Sequence, residues 1–195
     1  MLLIGLSLLT ATAAAGSTAS APLPGLITHK LPWSANDGSS LRPRLKAIGL
    51  HALSQEGVTV HIHQHLDIVV NGRVLQGLPP YIGIHIDQQH QNKSFITEIH
   101  THDQSGIIHV ESPTVRTFTL GDFFGVWGVR FSSRCLGGYC ASGQKKIYVW
   151  VNAKRVRTDP RKIVLKSHQE IVVAYGTLAS VPKPLPASYP FPSGY

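Results

Sequence analysis

The stretch that decides the fold is "VTVHIHQHLDIVVNGRV", residues 58–74. Val58, Val60, Ile62, Leu66, Ile68 and Val70 take alternate positions, and Thr59, His61, His63, His65 and Asp67 take the positions between them. Alternation at period two over so long a run predicts a β-strand with one apolar and one polar face. Asn71-Gly72 then suits the positive φ angles of a two-residue hairpin turn, and Arg73 and Val74 begin the return.

Working outward, "FITEIHTHDQSGIIHVES" (95–112) predicts a second hairpin turning at Asp103-Gln104-Ser105-Gly106. That register sets His102 opposite Ile107, His100 opposite His109 and Glu98 opposite Glu111. "TFTLGDFFGVWGVRF" (117–131) offers Thr119 and Asp122 at capping-box spacing, with Leu120, Phe123, Phe124 and Trp127 at helical spacing, so it predicts one short helix. "KKIYVWVNAKRV" (145–156) and "RKIVLKSHQEIVVAYG" (161–176) predict further strands. Hairpin, hairpin, helix and more strands imply an α+β domain built mainly of antiparallel sheet, with a β-grasp-like topology favoured.

The flanks read differently. Residues 1–21 form an uncharged apolar run that gives way to Ala, Ser, Thr and Gly, with Ala-x-Ala at three places, which is the pattern of a secretory signal peptide. Its positively charged start is missing, so an upstream start codon or an uncleaved anchor stays open. Residues 22–57 read as an extended, turn-rich lead-in, 58–178 as a single β-rich domain, and 179–195 as an extended Pro-rich tail. An apolar content of 43% suffices for a buried core. Cys135 and Cys140 enclose a Gly-Gly turn, and an even count in an exported chain favours a disulfide over a pair of thiolate ligands.

The net charge of +8 is unevenly placed: residues 29–115 hold six Lys/Arg against seven Asp/Glu, and residues 116–166 hold eleven against two. A basic half in an exported protein suits an anionic envelope polymer or membrane surface. No Arg-rich helix, aromatic RNA-binding pattern or zinc finger accompanies it, so no nucleic-acid partner is expected.

Nine of the eleven histidines lie between residues 51 and 109. His61, His63 and His65 share one strand face, about 6.6–6.8 Å apart per two residues. His100 and His102 repeat the spacing, and His109 arrives across the hairpin. A His-x-His pair with a third histidine from a neighbouring strand is a workable metal set, because metal–nitrogen bonds of about 2.0–2.1 Å bring ring nitrogens to roughly 3 Å. Glu98, Glu111 and Asp67 are candidates for a fourth ligand or for a carboxylate orienting an imidazole. Alternating histidines can also simply populate a solvated face, but two His-x-His motifs in one domain weigh against that. His51, His85, His90 and His168 read as loop or core residues. With no methionine after Met1 and the cysteines bridged, soft Cu(I) and blue-copper sites are disfavoured, and a divalent transition metal, zinc or copper foremost, is the expected cofactor. The motifs of α/β-hydrolases, P-loop proteins, His-Glu-x-x-His proteases and dinucleotide-binding folds are missing. The cupin signature is not met either, since the glutamate expected a few residues after the second histidine is absent and Glu111 comes nine residues after His102.

"HIHQHLDIVVNG", "PPYIGI", "HTHDQSGIIHVESP", "FTLGDFFGVWG" and "HQEIVVAYG" together resemble a family of small exported prokaryotic proteins of uncharacterised activity, over roughly residues 58–176. The resemblance implies export and a shared use of these residues; it implies no substrate or metal. Three functions are therefore expected in descending order: metal binding by strand-borne histidines, an envelope-associated module working through its basic half, and a zinc-dependent hydrolytic enzyme.

Overall fold

The computed structural model describes residues 21–35 and 38–195, so the expected signal peptide, but for Ala21, lies outside the described residues. Helix α1 (Gly38–Ile48) precedes strands β1 (Ala52–Leu53), β2 (Val60–Val70), β3 (Arg73–Val74), β4 (Ile84–His85), β5 (Phe95–Thr97), β6 (Ile99–His100) and β7 (Ile107–Ser112). Helix α2 (Leu120–Trp127) follows, then β8 (Cys135–Leu136), β9 (Tyr139–Cys140), β10 (Lys146–Val151), β11 (Lys154–Val156) and β12 (Glu170–Gly176). The α+β class is the one expected.

The main sheet runs β11-β10-β12-β2-β7-β6, with β3 folded back on β2. β2 and β12 lie parallel at its centre, while every other ladder in it is antiparallel. A first pair β2/β7, a helix, and a last strand inserted between β2 and β10 make the β-grasp-like order. Asn71 and Gly72 sit at φ 49° and 86°, so the β2–β3 turn is the positive-φ hairpin that this dipeptide favours. Cys135 and Cys140 pair across β8–β9 and form a disulfide, which removes them as thiolate ligands.

The even-numbered face of β2 looks into the core. Leu66, Ile68 and Val70 join Ile108 and Val110 of β7, Ile171 and Val173 of β12, and Phe123, Phe124 and Trp127 of α2 in one apolar cluster. Gln64 interrupts that face and hands its amide to the carbonyl oxygen of Ile108 at 2.7 Å. Helix α2 begins as its spacing predicts: Thr119 accepts from the Asp122 N–H, and the Asp122 carboxylate accepts from the Thr119 N–H at 2.9 Å. Thr119→Ala removes half of this reciprocal cap and is expected to cost about 1 kcal/mol, read as a drop of roughly 2–4 °C in thermal midpoint, while Thr119→Ser stays near wild type.

Two expectations about the flanks need correction. The lead-in is not extended, for it contains α1, whose Leu41 and Leu45 are fully buried and whose partner segment brings Trp33 edge-on to Trp127. Leu41, Leu45 and Ile48 do carry helical spacing, but Pro43 within the helix and the Ser-, Gly- and Arg-rich composition mask it. Buried Arg44 then donates to the carbonyls of Val126 and Pro24, tying α1 to the end of α2. A second helix therefore joins the single one expected, and residues 22–57 belong to the same core as the rest. The Pro-rich tail is docked: Val181 and Leu185 cover a small apolar cluster of Val69, Tyr148, Trp150, Val172 and Ala174 on the outer face of the sheet. Among the described residues, no helix is long and apolar enough to cross a membrane. Lys154 and Arg155 are exposed on edge strand β11, where such charges discourage pairing with another chain.

Candidate metal centre

The odd-numbered face of β2 is the outer face of the sheet, and strand register converts the sequence pattern there into a grid. His63 of β2 pairs with His109 of β7, and His109 pairs with His100 of β6, so three imidazoles line one row across three adjacent strands. In the next row His61 pairs with Glu111, whose N–H donates to the Glu98 carbonyl oxygen. The row on the other side starts with His65 opposite Ile107. The two His-x-His motifs thus share one face, separated only by β7.

Local chemistry sharpens the turn that makes this possible. Asp103 accepts from the Ser105 N–H at 2.8 Å, and Gly106 adopts φ 88°. A side chain at Gly106 would meet His65 Nε2 at 2.8 Å, so glycine both permits the backbone and clears space for the ring.

Four side chains from the β6–β7 hairpin, His100, His102, His109 and Glu111, each offer one ligand atom, all within 4.8 Å of one another. His100 is fully buried, His109 and Glu111 are nearly so, and His102 is part-exposed. The Nδ1 of His100 lies 2.9 Å from the Thr97 carbonyl oxygen. A carbonyl only accepts, so Nδ1 carries the proton and Nε2 carries the lone pair, which is how an outer hydrogen bond fixes a metal-binding tautomer. That Nε2 stands 3.1 Å from His102 Nε2, close to the separation of two nitrogens on one ion. Glu111 Oε1 lies 3.0 Å from His109 Nδ1, while Oε2 faces His100 Nε2 at 3.8 Å, is buried, and has no hydrogen-bond partner among the described residues.

The electrostatics keep these groups ready to coordinate. Burial pushes His100 down to about 3, and burial together with the neighbouring His109 and His61 pushes His63 down to about 4. Burial lowers His102 as well. For Glu111, burial works upward, but the His109 hydrogen bond and the charges of His100, His109 and His61 hold it down to about 2. At neutral pH, His63, His100 and His102 are therefore neutral imidazoles beside an ionised Glu111, the protonation a metal requires of them.

The remaining candidates take other places. His61 and His63 form a second group with Glu111, their Nε2 atoms 3.5 and 3.8 Å from Oε1. Glu98 turns away and accepts from both the N–H and the Nδ1 of His51, each at 2.8 Å. His65, Asp67 and Glu170 make a third group, but both nitrogens of His65 face acceptors: Glu170 Oε2 at 2.8 Å and the Ser105 carbonyl at 2.9 Å. Burial opposes a charge on that ring, yet the Glu170 and Asp67 carboxylates and the Ser105 carbonyl raise its pKa. His65 thus ties β2, β12 and the β6–β7 turn together, with both ring nitrogens engaged by Glu170 and Ser105.

Several neighbours of the site escape a reading of the sequence. Glu56 lies 3.4 Å from His102 Nε2. The tail lays Tyr189 flat on His65, centroids 3.8 Å apart, and Tyr195 against His63 at 4.6 Å and His109 at 5.4 Å. The Tyr195 carbonyl oxygen receives His168 Nε2 at 2.9 Å. The three tyrosine and phenylalanine rings of "YPFPSGY" carry no spacing signal that would place them here. Comparisons with protein-family models, with curated proteins and with solved structures found no match for this chain.

Proposed function

We propose that this chain is an exported protein that binds a divalent transition metal, zinc or copper, through His100, His102, His109 and Glu111. The single observation that carries the reading is the convergence of four ligand side chains, three imidazoles and a carboxylate, with the His100 tautomer already set by Thr97. A solvated histidine face would leave its rings exposed and independently titrating. Three imidazoles and a carboxylate suit Zn(II) or Cu(II), with no soft ligand to draw Cu(I). Export is supported by the disulfide, since such bonds persist in oxidising compartments.

Capture, storage or sensing fits this site better than catalysis. Four protein side chains are enough for a complete tetrahedral shell, and Tyr195 packs edge-on against His109 beside it. The test uses purified protein dialysed against chelator and titrated with Zn(II) or Cu(II). At least one tight equivalent per chain is expected, and joint replacement of His100, His102 and His109 by Ala should remove it while the circular dichroism of the sheet is retained. Absence of tight binding, or tight binding of unchanged stoichiometry in the triple variant, would overturn the assignment.

A further inference from the structure

We infer that the site holds two ions, bridged by the Glu111 carboxylate, an inference that rests on the metal-binding reading above. Glu111 is the one residue common to both ligand groups on this face, His100–His102–His109 on one side and His61–His63 on the other. Its Oε1 takes the Nδ1 hydrogen bond of His109 at 3.0 Å and is also approached by His61 Nε2 at 3.5 Å and His63 Nε2 at 3.8 Å, while Oε2 is approached by His100 Nε2 at 3.8 Å.

A single ion would leave His61 and His63 unused. Were one ion held by His100, His102, His109 and a single Glu111 oxygen, the nitrogens of His61 and His63 would converge on the other oxygen with nothing between. They do converge, each within 4.8 Å of the other and of that carboxylate. Oε2 is buried without a hydrogen-bond donor among the described residues, which marks it as an acceptor built for something other than a protein donor. A carboxylate with one oxygen on each of two ions is the usual bridge of two-metal sites whose ions sit about 3.5–4 Å apart. The strand register explains how one residue can serve both: Glu111 stands opposite His61 on β2, while its diagonal neighbour His100 projects from β6.

The two ions differ in surroundings. The first is enclosed by buried His100 and His109. The second has His63 buried but His61 about half exposed, so it is the more readily exchanged. An ion entering at His61 and passing across Glu111 would reach the inner position without leaving ligands, which suits capture.

The experiment is metal stoichiometry on the full mature chain, dialysed against chelator and titrated with Zn(II) and, separately, Cu(II), with elemental analysis of the washed protein. Two equivalents per chain are expected, the second about tenfold or more weaker than the first. His61→Ala/His63→Ala should bind one equivalent with the first affinity unchanged. In the Cu(II) form, magnetic coupling between the ions should appear as a half-field electron paramagnetic resonance transition that this double variant lacks. Two uncoupled equivalents overturn the bridge; one equivalent in the wild-type protein overturns the second ion and leaves the single-ion reading standing. No tight equivalent at all overturns both.

Discussion

His100→Phe is expected to weaken zinc binding at the inner position by about 10²-fold or more while leaving the fold in place. Structural zinc sites with four protein ligands hold their ion by roughly 10–16 kcal/mol, so one ligand accounts for about 3 kcal/mol, which converts to about two orders of magnitude in affinity. Phenylalanine is the informative replacement because His100 is fully buried and its ring lies nearly parallel to that of His109, centroids 5.3 Å apart. A phenyl ring fills the same slot and removes only the nitrogens: the Nε2 lone pair and the Nδ1–H donated to Thr97. The matched control is His85→Phe, since His85 packs against Phe95 and belongs to none of the ligand groups. Affinity read by competition with a chromophoric chelator should fall in the first variant and hold in the second. Equal affinities would place the ion elsewhere.

How much of this was legible beforehand follows from how far apart the interacting residues are in sequence. The β2 strand, the Asn71-Gly72 turn, the Thr119–Asp122 cap and the pairing of His100 with His109 all rest on neighbours within about ten residues, and each stands where its local chemistry puts it. Helix α1 was masked because its three apolar positions are outnumbered by polar ones and broken by Pro43, so only burial against α2 reveals its face. The parallel pairing of β12 with β2 joins residues about a hundred apart, and nothing in either strand names its partner. The same distance hides the fates of His65 and Glu98. Position alone makes His65 equal to His63, but Glu170 arriving on β12 engages its Nδ1 at 2.8 Å. Glu98 is equal to Glu111 on the hairpin until His51 claims it. Composition also concealed the tail, whose prolines exclude helix and sheet yet leave its tyrosines free to stack.

Acid is expected to unfold the chelated protein far more readily than the zinc-loaded one, with the difference opening below pH 6.5. His63 and His100 titrate at about 4 and about 3 in the folded chain, and His102 is lowered too, whereas in the unfolded chain all three return to the ordinary value near 6.5. Between those values the unfolded chain binds more protons, and stability then rises with pH by about 1.4 kcal/mol per pH unit for each proton of difference. Their contribution is thus fully present above about pH 6.5 and is lost as pH falls towards the folded values. Glu111, lowered to about 2, acts with the same sign but only below about pH 4.5, where its unfolded carboxyl begins to protonate. His65 has the opposite sign. Its raised pKa stabilises the fold fully below about 6.5 and withdraws that stability as pH climbs through the folded value, so it cannot rescue the loss caused by the buried cluster. A bound ion occupies the lone pairs that protons would take, and so holds the folded chain to lower pH. Urea midpoints of the chelated protein at pH 7.5, 6.0, 5.0 and 4.5 should fall steadily. The same series with zinc should stay nearly flat to about pH 5.5, and His63→Phe/His100→Phe should flatten the chelated series by removing the protons in question. A chelated wild-type midpoint that does not move between pH 7.5 and 4.5 would mean that these rings are not held neutral in the folded chain, and the pre-set ligand cluster would fall with them.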